Sequence, residues 1–151
     1  MIRLTLVLAV VTMFAGQSNA QTTGTIVVYR ELGSIHYAGG VHPTVYCDDV
    51  RVAKLRENHK VVISTVVGQH TCVAIERQAD WNEGSEKVSV DVKPNLTTYL
   101  RLHIRFGHSH FVLQQVPEEI GSAETAKAQA AKKGDSYTTV LPVTADKKPS
   151  E

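Results

Sequence analysis

The run TYLRLHIRF, residues 98–106, alternates polar and apolar side chains over its whole length. A period of two is typical of a β-strand that packs one face on a core and turns the other toward solvent. The apolar face of this strand carries Leu100, Leu102, Ile104 and Phe106. We therefore take residues 98–106 as the reference strand from which the rest of the fold is inferred.

Seven further runs with apolar, β-branched or alternating residues flank this strand, with polar turns between them. They span residues 25–29, 44–47, 50–55, 60–67, 70–77, 87–92 and 110–116. Short strands at a spacing of roughly 8–12 residues are typical of an antiparallel sandwich. The sequence thus predicts an all-β fold, an antiparallel immunoglobulin-like β-sandwich of about 7–8 short strands.

Two short connections predict which strands pair. Asp48-Asp49 separates the second run from the third and is typical of a tight turn. Gly68-Gln69 separates the runs 60–67 and 70–77, and a two-residue connection of this kind predicts a β-hairpin between them.

The chain divides into three segments. Residues 1–20 combine Arg3, an apolar run and a Ser-Asn-Ala ending, which is the pattern of a secretory signal peptide. The apolar run is shorter than the roughly 18 residues of a membrane span, so we expect no transmembrane segment. Residues 24–121 form the predicted β-sandwich domain. Residues 122–151 are rich in Ala and Lys and predict a flexible tail, disordered or partly helical. We expect a periplasmic or secreted protein.

Cys47 and Cys72 are the two cysteines of the chain. An even pair in a chain bound for an oxidising compartment predicts a disulfide, which would stabilise the fold by roughly 3 kcal/mol. Two buried thiols are the alternative, and the spacing does not match a C-x-x-C metal pair. The alternation leaves open which face of its strand Cys72 occupies.

The charge balance excludes one class of partner. The chain carries 16 Lys and Arg against 15 Asp and Glu, and loss of Arg3 with the signal peptide leaves equal numbers. Binding to nucleic acid needs a basic excess that releases counterions from phosphates, so no nucleic-acid partner is expected. Electrostatic docking to anionic membranes is disfavoured for the same reason.

The order of several short motifs resembles a family of small bacterial envelope proteins built on a domain of unknown function. These motifs are YR at 29–30, VYCDD at 45–49, VAKL at 52–55, VGQHT at 67–71, TYLRL at 98–102 and VPEEIG at 116–121. The resemblance implies a PEGA-like β-sandwich layout over residues 24–121 and brings no established activity. Many such proteins carry a lipobox cysteine at the cleavage site, where this chain has Ala20-Gln21. We therefore expect no lipid anchor.

The outward face of the reference strand presents Tyr99, Arg101, His103 and Arg105 in a row. An aromatic ring, two guanidinium groups and an imidazole form a candidate binding stripe for an anionic glycan or an acidic envelope protein. The alternative is a cross-strand charge ladder opposite the polar side chains of residues 87–92.

Three histidines suggest a second hypothesis. His103, His108 and His110 lie on one predicted strand–turn–strand segment, where neutral imidazoles can bind zinc or copper. No Asp, Glu or Cys stands beside them to complete four ligands, so exposed positions at a hairpin tip are the alternative. Apart from this possible metal, no cofactor is expected.

Nothing in the chain matches a catalytic motif. Ser109 stands between two histidines, but neighbours on a strand point to opposite faces and do not form a nucleophile–base pair. The carboxylate pairs 48–49 and 118–119 are adjacent residues at turns. The sequence therefore predicts a non-catalytic protein with a binding or structural role in the bacterial cell envelope.

Overall fold

The computed structural model describes residues 22–31, 42–76, 86–105, 110–138 and 140–141. These residues form nine strands and one helix: β1 Thr23–Arg30, β2 Thr44–Cys47, β3 Val50–Lys54, β4 His59–Val66, β5 Gly68–Ile75, β6 Val88–Val92, β7 Thr97–Arg105, β8 His110–Val116, α1 Glu118–Thr125 and β9 Gln129–Ala130. The eight predicted strands are all present, with ends shifted by one or two residues. The predicted signal peptide, residues 1–20, lies outside the described residues.

Two sheets face each other, which confirms the predicted β-sandwich. One sheet has the order β8-β7-β1-β4-β9 and the other the order β3-β2-β5-β6. Most neighbours are antiparallel, but β1 lies parallel to β7 and β4 lies parallel to β9. The five-stranded sheet is therefore mixed, and the parallel pair places the ends of β1 and β7 side by side.

The core lies between the sheets and is built from alternate residues of each strand. On β7 these are Leu100 and Leu102, which are almost fully buried, as the period of two predicts. The other strands contribute mainly β-branched residues, which suit a half-buried pleated surface. Their core members include Ile26, Val28, Val45, Val52, Val61, Ile63, Val90 and Val92.

The predicted hairpin at Gly68-Gln69 is wrong. β4 pairs with β1 and β9, whereas β5 pairs with β2 and β6, so the chain crosses from one sheet to the other at this point. Gly68 has a φ of 139°, a conformation that side-chain-bearing residues rarely adopt. A glycine that permits a sharp corner between sheets is indistinguishable in sequence from one that permits a hairpin.

A buried imidazole holds this corner together. The Nδ1 of His70 lies 2.6 Å from the Asp48 carboxylate, and its Nε2 lies 2.8 Å from the Val66 carbonyl. The second Asp48 oxygen accepts a hydrogen bond of 2.9 Å from the backbone N–H of Thr71. Because Asp48 belongs to the four-stranded sheet and Val66 to the five-stranded sheet, the ring joins the two layers.

The β2–β3 connection is the tight turn that the sequence predicts. Asp48 and Asp49 both have positive φ, 51° and 63°, as in the type I′ turn of a two-residue hairpin. Aspartate tolerates this conformation better than most residues, although glycine is preferred there. Asp48 gains hydrogen bonds at this position, and Asp49 is exposed.

The predicted boundary at residue 122 falls inside helix α1. Helix α1 begins at Glu118, directly after Pro117, and β9 then pairs with the edge of β4. Farther on, the backbone N–H of Tyr137 donates to the Val52 carbonyl of β3, and Leu141 is buried in the core.

Edge strands explain how the described part of this polar segment attaches to the sandwich. Both β3 and β4 offer backbone groups that a passing chain can pair with, whatever its side chains. Composition predicts disorder from low apolar content and does not register such pairing. In the described part of the chain, no helix is long and apolar enough to cross a membrane.

Candidate functional site

Cys47 and Cys72 are joined as a disulfide across neighbouring strands. They stand directly opposite each other on β2 and β5, with their Cα atoms 4.1 Å apart. The adjacent bond from the Asp48 N–H to the Thr71 carbonyl, 2.8 Å, marks this as a non-hydrogen-bonded pair, where strands approach most closely. Cys72 shares the core face with Ala74, which settles the question that the alternation left open.

The candidate binding stripe lies on the outer face of β7, and helix α1 covers its first half. A Cβ at Gly121 would overlap the ring of Tyr99, so the helix rests directly on that side chain. The Nη1 of Arg101 donates to Glu124 over 3.0 Å, and its Nη2 donates to Gln114 over 3.3 Å. Tyr99 and Arg101 therefore serve the attachment of α1 to the sheet.

Tyr29 completes this attachment. It lies on the outer face of β1, is fully buried and donates its hydroxyl hydrogen bond to Glu124. Burial raises the pKa of Tyr29 far above its usual range, and the hydrogen bond to the Glu124 carboxylate adds to the effect. A neutral phenol and a charged guanidinium thus converge on one carboxylate, an arrangement that orients α1.

The second half of the stripe consists of His103 and Arg105. The Nδ1 of His103 is buried and has no hydrogen-bond partner within the described ranges, and the residue stands beside Val112 of β8. The side chain of Arg105 lies outside what the structure describes. The alternative of a charge ladder opposite residues 87–92 is wrong, because β6 belongs to the other sheet.

The proposed histidine metal site falls mostly beyond the described atoms. His108 lies outside the described residues, and only the backbone of His110 is described. Within the described ranges, no three His, Cys, Asp or Glu side chains come close enough to hold a metal ion. His103 is the one member of the predicted set whose side chain is placed, and the zinc or copper hypothesis stays a prediction.

A group of basic and imidazole side chains that the sequence reasoning missed gathers at one end of the sandwich. We call it the basic mouth and define it as Arg30, His42, Lys54, Arg56 and His59. Arg30 ends β1, and His59 begins β4 in direct register with it. Lys54 ends β3 and Arg56 follows it, while His42 stands two residues before β2.

Arg30 is the deepest cation of the basic mouth. It follows Ile26 and Val28 on the inward face of β1 and is 2% exposed. Its guanidinium carbon lies 5.5 Å from the centre of the Phe111 ring, within cation–π range. Burial lowers the pKa of Arg30, and the charge of Glu57 acts in the opposite direction.

Two imidazoles of the basic mouth each have a buried ring nitrogen that finds no hydrogen-bond partner among the described residues. The Nδ1 of His59 lies 2.7 Å from the Glu57 carbonyl, but its Nε2 has no hydrogen-bond partner, and the residue is only 8% exposed. The Nδ1 of His42 is also buried and has no hydrogen-bond partner among the described residues. Burial lowers the pKa of His42, and the positive charges of Arg56, Lys54 and Arg30 lower it further.

The ion pair between Arg56 and Asp135 borders the basic mouth. The Nε of Arg56 lies 2.5 Å from the carboxylate of Asp135, and this bond holds the pKa of Asp135 below its usual range. The backbone carbonyl of Asp135 also accepts a hydrogen bond of 2.7 Å from the Lys54 N–H. The C-terminal segment thus places the Asp135 carboxylate at this end of the sandwich.

One sequence signal pointed toward the basic mouth. Arg30 continues the inward alternation of Ile26 and Val28, and His59 precedes Val61 and Ile63 in the same way. A polar residue at an inward position next to a strand end is unusual, because burial of a charge needs compensation. Their juxtaposition depends on the pairing of β1 with β4, which the sequence left undetermined.

Comparison of the chain with protein-family models, with curated proteins and with solved structures finds no match. The resemblance to small envelope proteins therefore stays a proposal.

Proposed function

We propose that this protein is a non-catalytic binding module of the bacterial cell envelope, exported to the periplasm or secreted. The signal-peptide pattern of residues 1–20 supports export, and the Cys47–Cys72 disulfide suits the oxidising compartment that export reaches. We also propose that the protein belongs with the small envelope proteins that have a PEGA-like sandwich.

The contact surface we propose is the basic mouth. The observation that carries it is a pair of buried imidazole nitrogens, on His42 and His59, that lack a partner among the residues the structure describes and lie at a sandwich end rich in cations. Buried polar atoms normally have partners, and those that lack one are candidates for contact with a ligand. The β7 stripe is the weaker surface, because helix α1 lies on Tyr99 and its Glu124 accepts from Arg101.

Co-sedimentation with isolated bacterial envelopes tests this assignment. Arg56→Gln removes one cation of the basic mouth, and Lys93→Gln removes one exposed cation that lies outside it. We expect the mature protein to sediment with envelopes, and the Arg56 variant to do so several-fold less than the Lys93 variant. Equal sedimentation of both variants would contradict the proposed surface. An uncleaved chain found only in the cytoplasm would contradict export.

The second candidate function is binding of zinc or copper. The buried, unpartnered Nδ1 of His103 favours it, since an imidazole nitrogen is a common metal ligand. A calorimetric titration of the full mature chain with zinc and then copper should give saturable heat, and His103→Gln should reduce it. Absence of saturable heat with both metals would end this hypothesis.

A further inference from the structure

We propose that the basic mouth binds an oxyanion carried by an envelope glycan, such as a sugar carboxylate or phosphate, and that His42 takes up a proton when the anion binds. This inference rests on the proposed function and specifies the chemistry of its ligand. Three properties of the basic mouth support it: hydrogen-bonding capacity, charge, and a competing carboxylate.

Hydrogen-bonding capacity is the first property. His42 and His59 each have one buried ring nitrogen with no hydrogen-bond partner in the described part of the chain, and His59 is over nine-tenths buried. The Nδ1 of His59 faces a backbone carbonyl, so it carries a proton and donates. The protonated form of the His42 ring donates from both nitrogens, including its buried Nδ1, and an oxyanion is the acceptor that such a donor suits.

Charge decides between an anion and a cation. His42 is acted on by Arg30 from β1, by Lys54 and Arg56 from the end of β3, and by Asp135 from the C-terminal segment. Glu57 acts on Arg30 from the β3–β4 connection. Among the described residues, three cations therefore face two carboxylates, and this excess of positive charge repels a metal ion and attracts an anion.

This charge balance also explains proton uptake. In the free protein, burial and the surrounding cations hold the pKa of His42 below its usual range, so the ring is neutral at pH 7. A bound anion reverses the local field and favours the protonated ring. Anion binding therefore favours protonation of His42, and protonation of His42 favours anion binding. The affinity for the anion should rise as the pH falls below 7, where the free protein still has a neutral His42.

Asp135 shows that an oxyanion fits here. Asp135 is 7% exposed, and its carboxylate lies 2.5 Å from the Nε of Arg56. A ligand carboxylate or phosphate presents the same kind of oxygen to the same cations. Asp135 thus competes with the ligand, and Asp135→Asn should bind anions several-fold more tightly than the native chain.

The experiment uses the full mature chain and sulfate, a dianion whose charge does not change between pH 5.5 and 7.5. Imidazole resonances of His42 and His59 are followed by NMR during titration with sodium sulfate, with sodium chloride at matched ionic strength as the control. We expect saturable shifts, with affinity several-fold higher at pH 5.5 than at pH 7.5. His42→Gln should remove this pH dependence, and Arg56→Gln should weaken binding about tenfold relative to Lys93→Gln.

Two further titrations identify the oxyanion. Glucuronate presents a carboxylate and glycerol 1-phosphate presents a phosphate, and the one that binds more tightly names the group. Shifts equal to those with chloride, or a pH profile unchanged in His42→Gln, would overturn the inference. If sulfate does not bind but envelope binding still depends on Arg56, the oxyanion inference fails and the proposed function stands. If sulfate binds but envelopes do not, the proposed function fails instead.

Discussion

The buried contact between Asp48 and His70 makes a sharp prediction about the stability of the sandwich. Asp48→Gly removes the carboxylate that accepts from the His70 ring at 2.6 Å and from the Thr71 N–H at 2.9 Å. A hydrogen bond to a charged group contributes about 1.5–3 kcal/mol, and a bond like that to Thr71 about 1 kcal/mol. Glycine at this positive φ returns about 1 kcal/mol. The expected net loss is about 1.5–3 kcal/mol.

Asp49→Gly is the matched control for this substitution. Asp49 is the other central residue of the same turn, with a φ of 63° and an exposed side chain. The glycine relieves the same kind of backbone conformation there, so we expect stability to rise by about 0.5–1 kcal/mol. The two neighbouring Asp→Gly changes should therefore have opposite signs.

Urea unfolding of the oxidised chain, followed by circular dichroism, measures both free energies. A third variant, His70→Leu, closes a double-mutant cycle with Asp48→Gly. If the ring contact carries the loss, Asp48→Gly should cost at least 1 kcal/mol less in the His70→Leu background than in the native one. Stabilisation by Asp48→Gly, or equal losses in the two backgrounds, would refute the assignment of His70 as the link between the sheets.

Three further substitutions, one of them with a control variant, test other parts of the structure. Gly121→Ala should lower stability by about 1–2 kcal/mol in urea unfolding because its Cβ overlaps the Tyr99 ring, while the exposed Ser122→Ala should stay within about 0.5 kcal/mol of the native value. Arg101→Ala should lower the melting temperature, because it breaks the bond to Glu124; an unchanged melting temperature would return Arg101 to the role of a free binding residue. The lowered pKa of His42 means that the unfolded chain binds this proton more readily, so native stability should fall as the pH drops below about 6.5, and His42→Gln should flatten that part of the profile. A profile that His42→Gln leaves as steep as before would contradict the pKa assignment.

Local alternation made the strands predictable. Side chains on β7 and β4 follow a period of two, and this period depends only on the geometry of a single extended chain. The pairing of strands was less accessible, because it depends on residues distant in sequence. Gly68 shows the difference: its conformation permits a sharp bend, but whether the next strand pairs with β4 or joins the other sheet is decided by β1 and β2.

The candidate sites divide in the same way. The alternation indicates that Tyr99 and Arg101 share the outward face of β7, yet the sequence held no sign that α1 would cover Tyr99 and bind Arg101. The basic mouth could not be assembled from motifs, because Arg30 and His59 are far apart along the chain and meet only through the register of β1 with β4.

The amino-acid sequence by itself determined the all-β class, the positions of eight strands, the tight turn at Asp48-Asp49 and the face of β7 that enters the core. These features follow from neighbouring residues, whose geometry the backbone sets. Tertiary structure alone decided the sheet order, the ordered C-terminal segment and the gathering of the basic mouth. Those features depend on backbone hydrogen bonds between distant strands, and such bonds do not depend on side-chain identity.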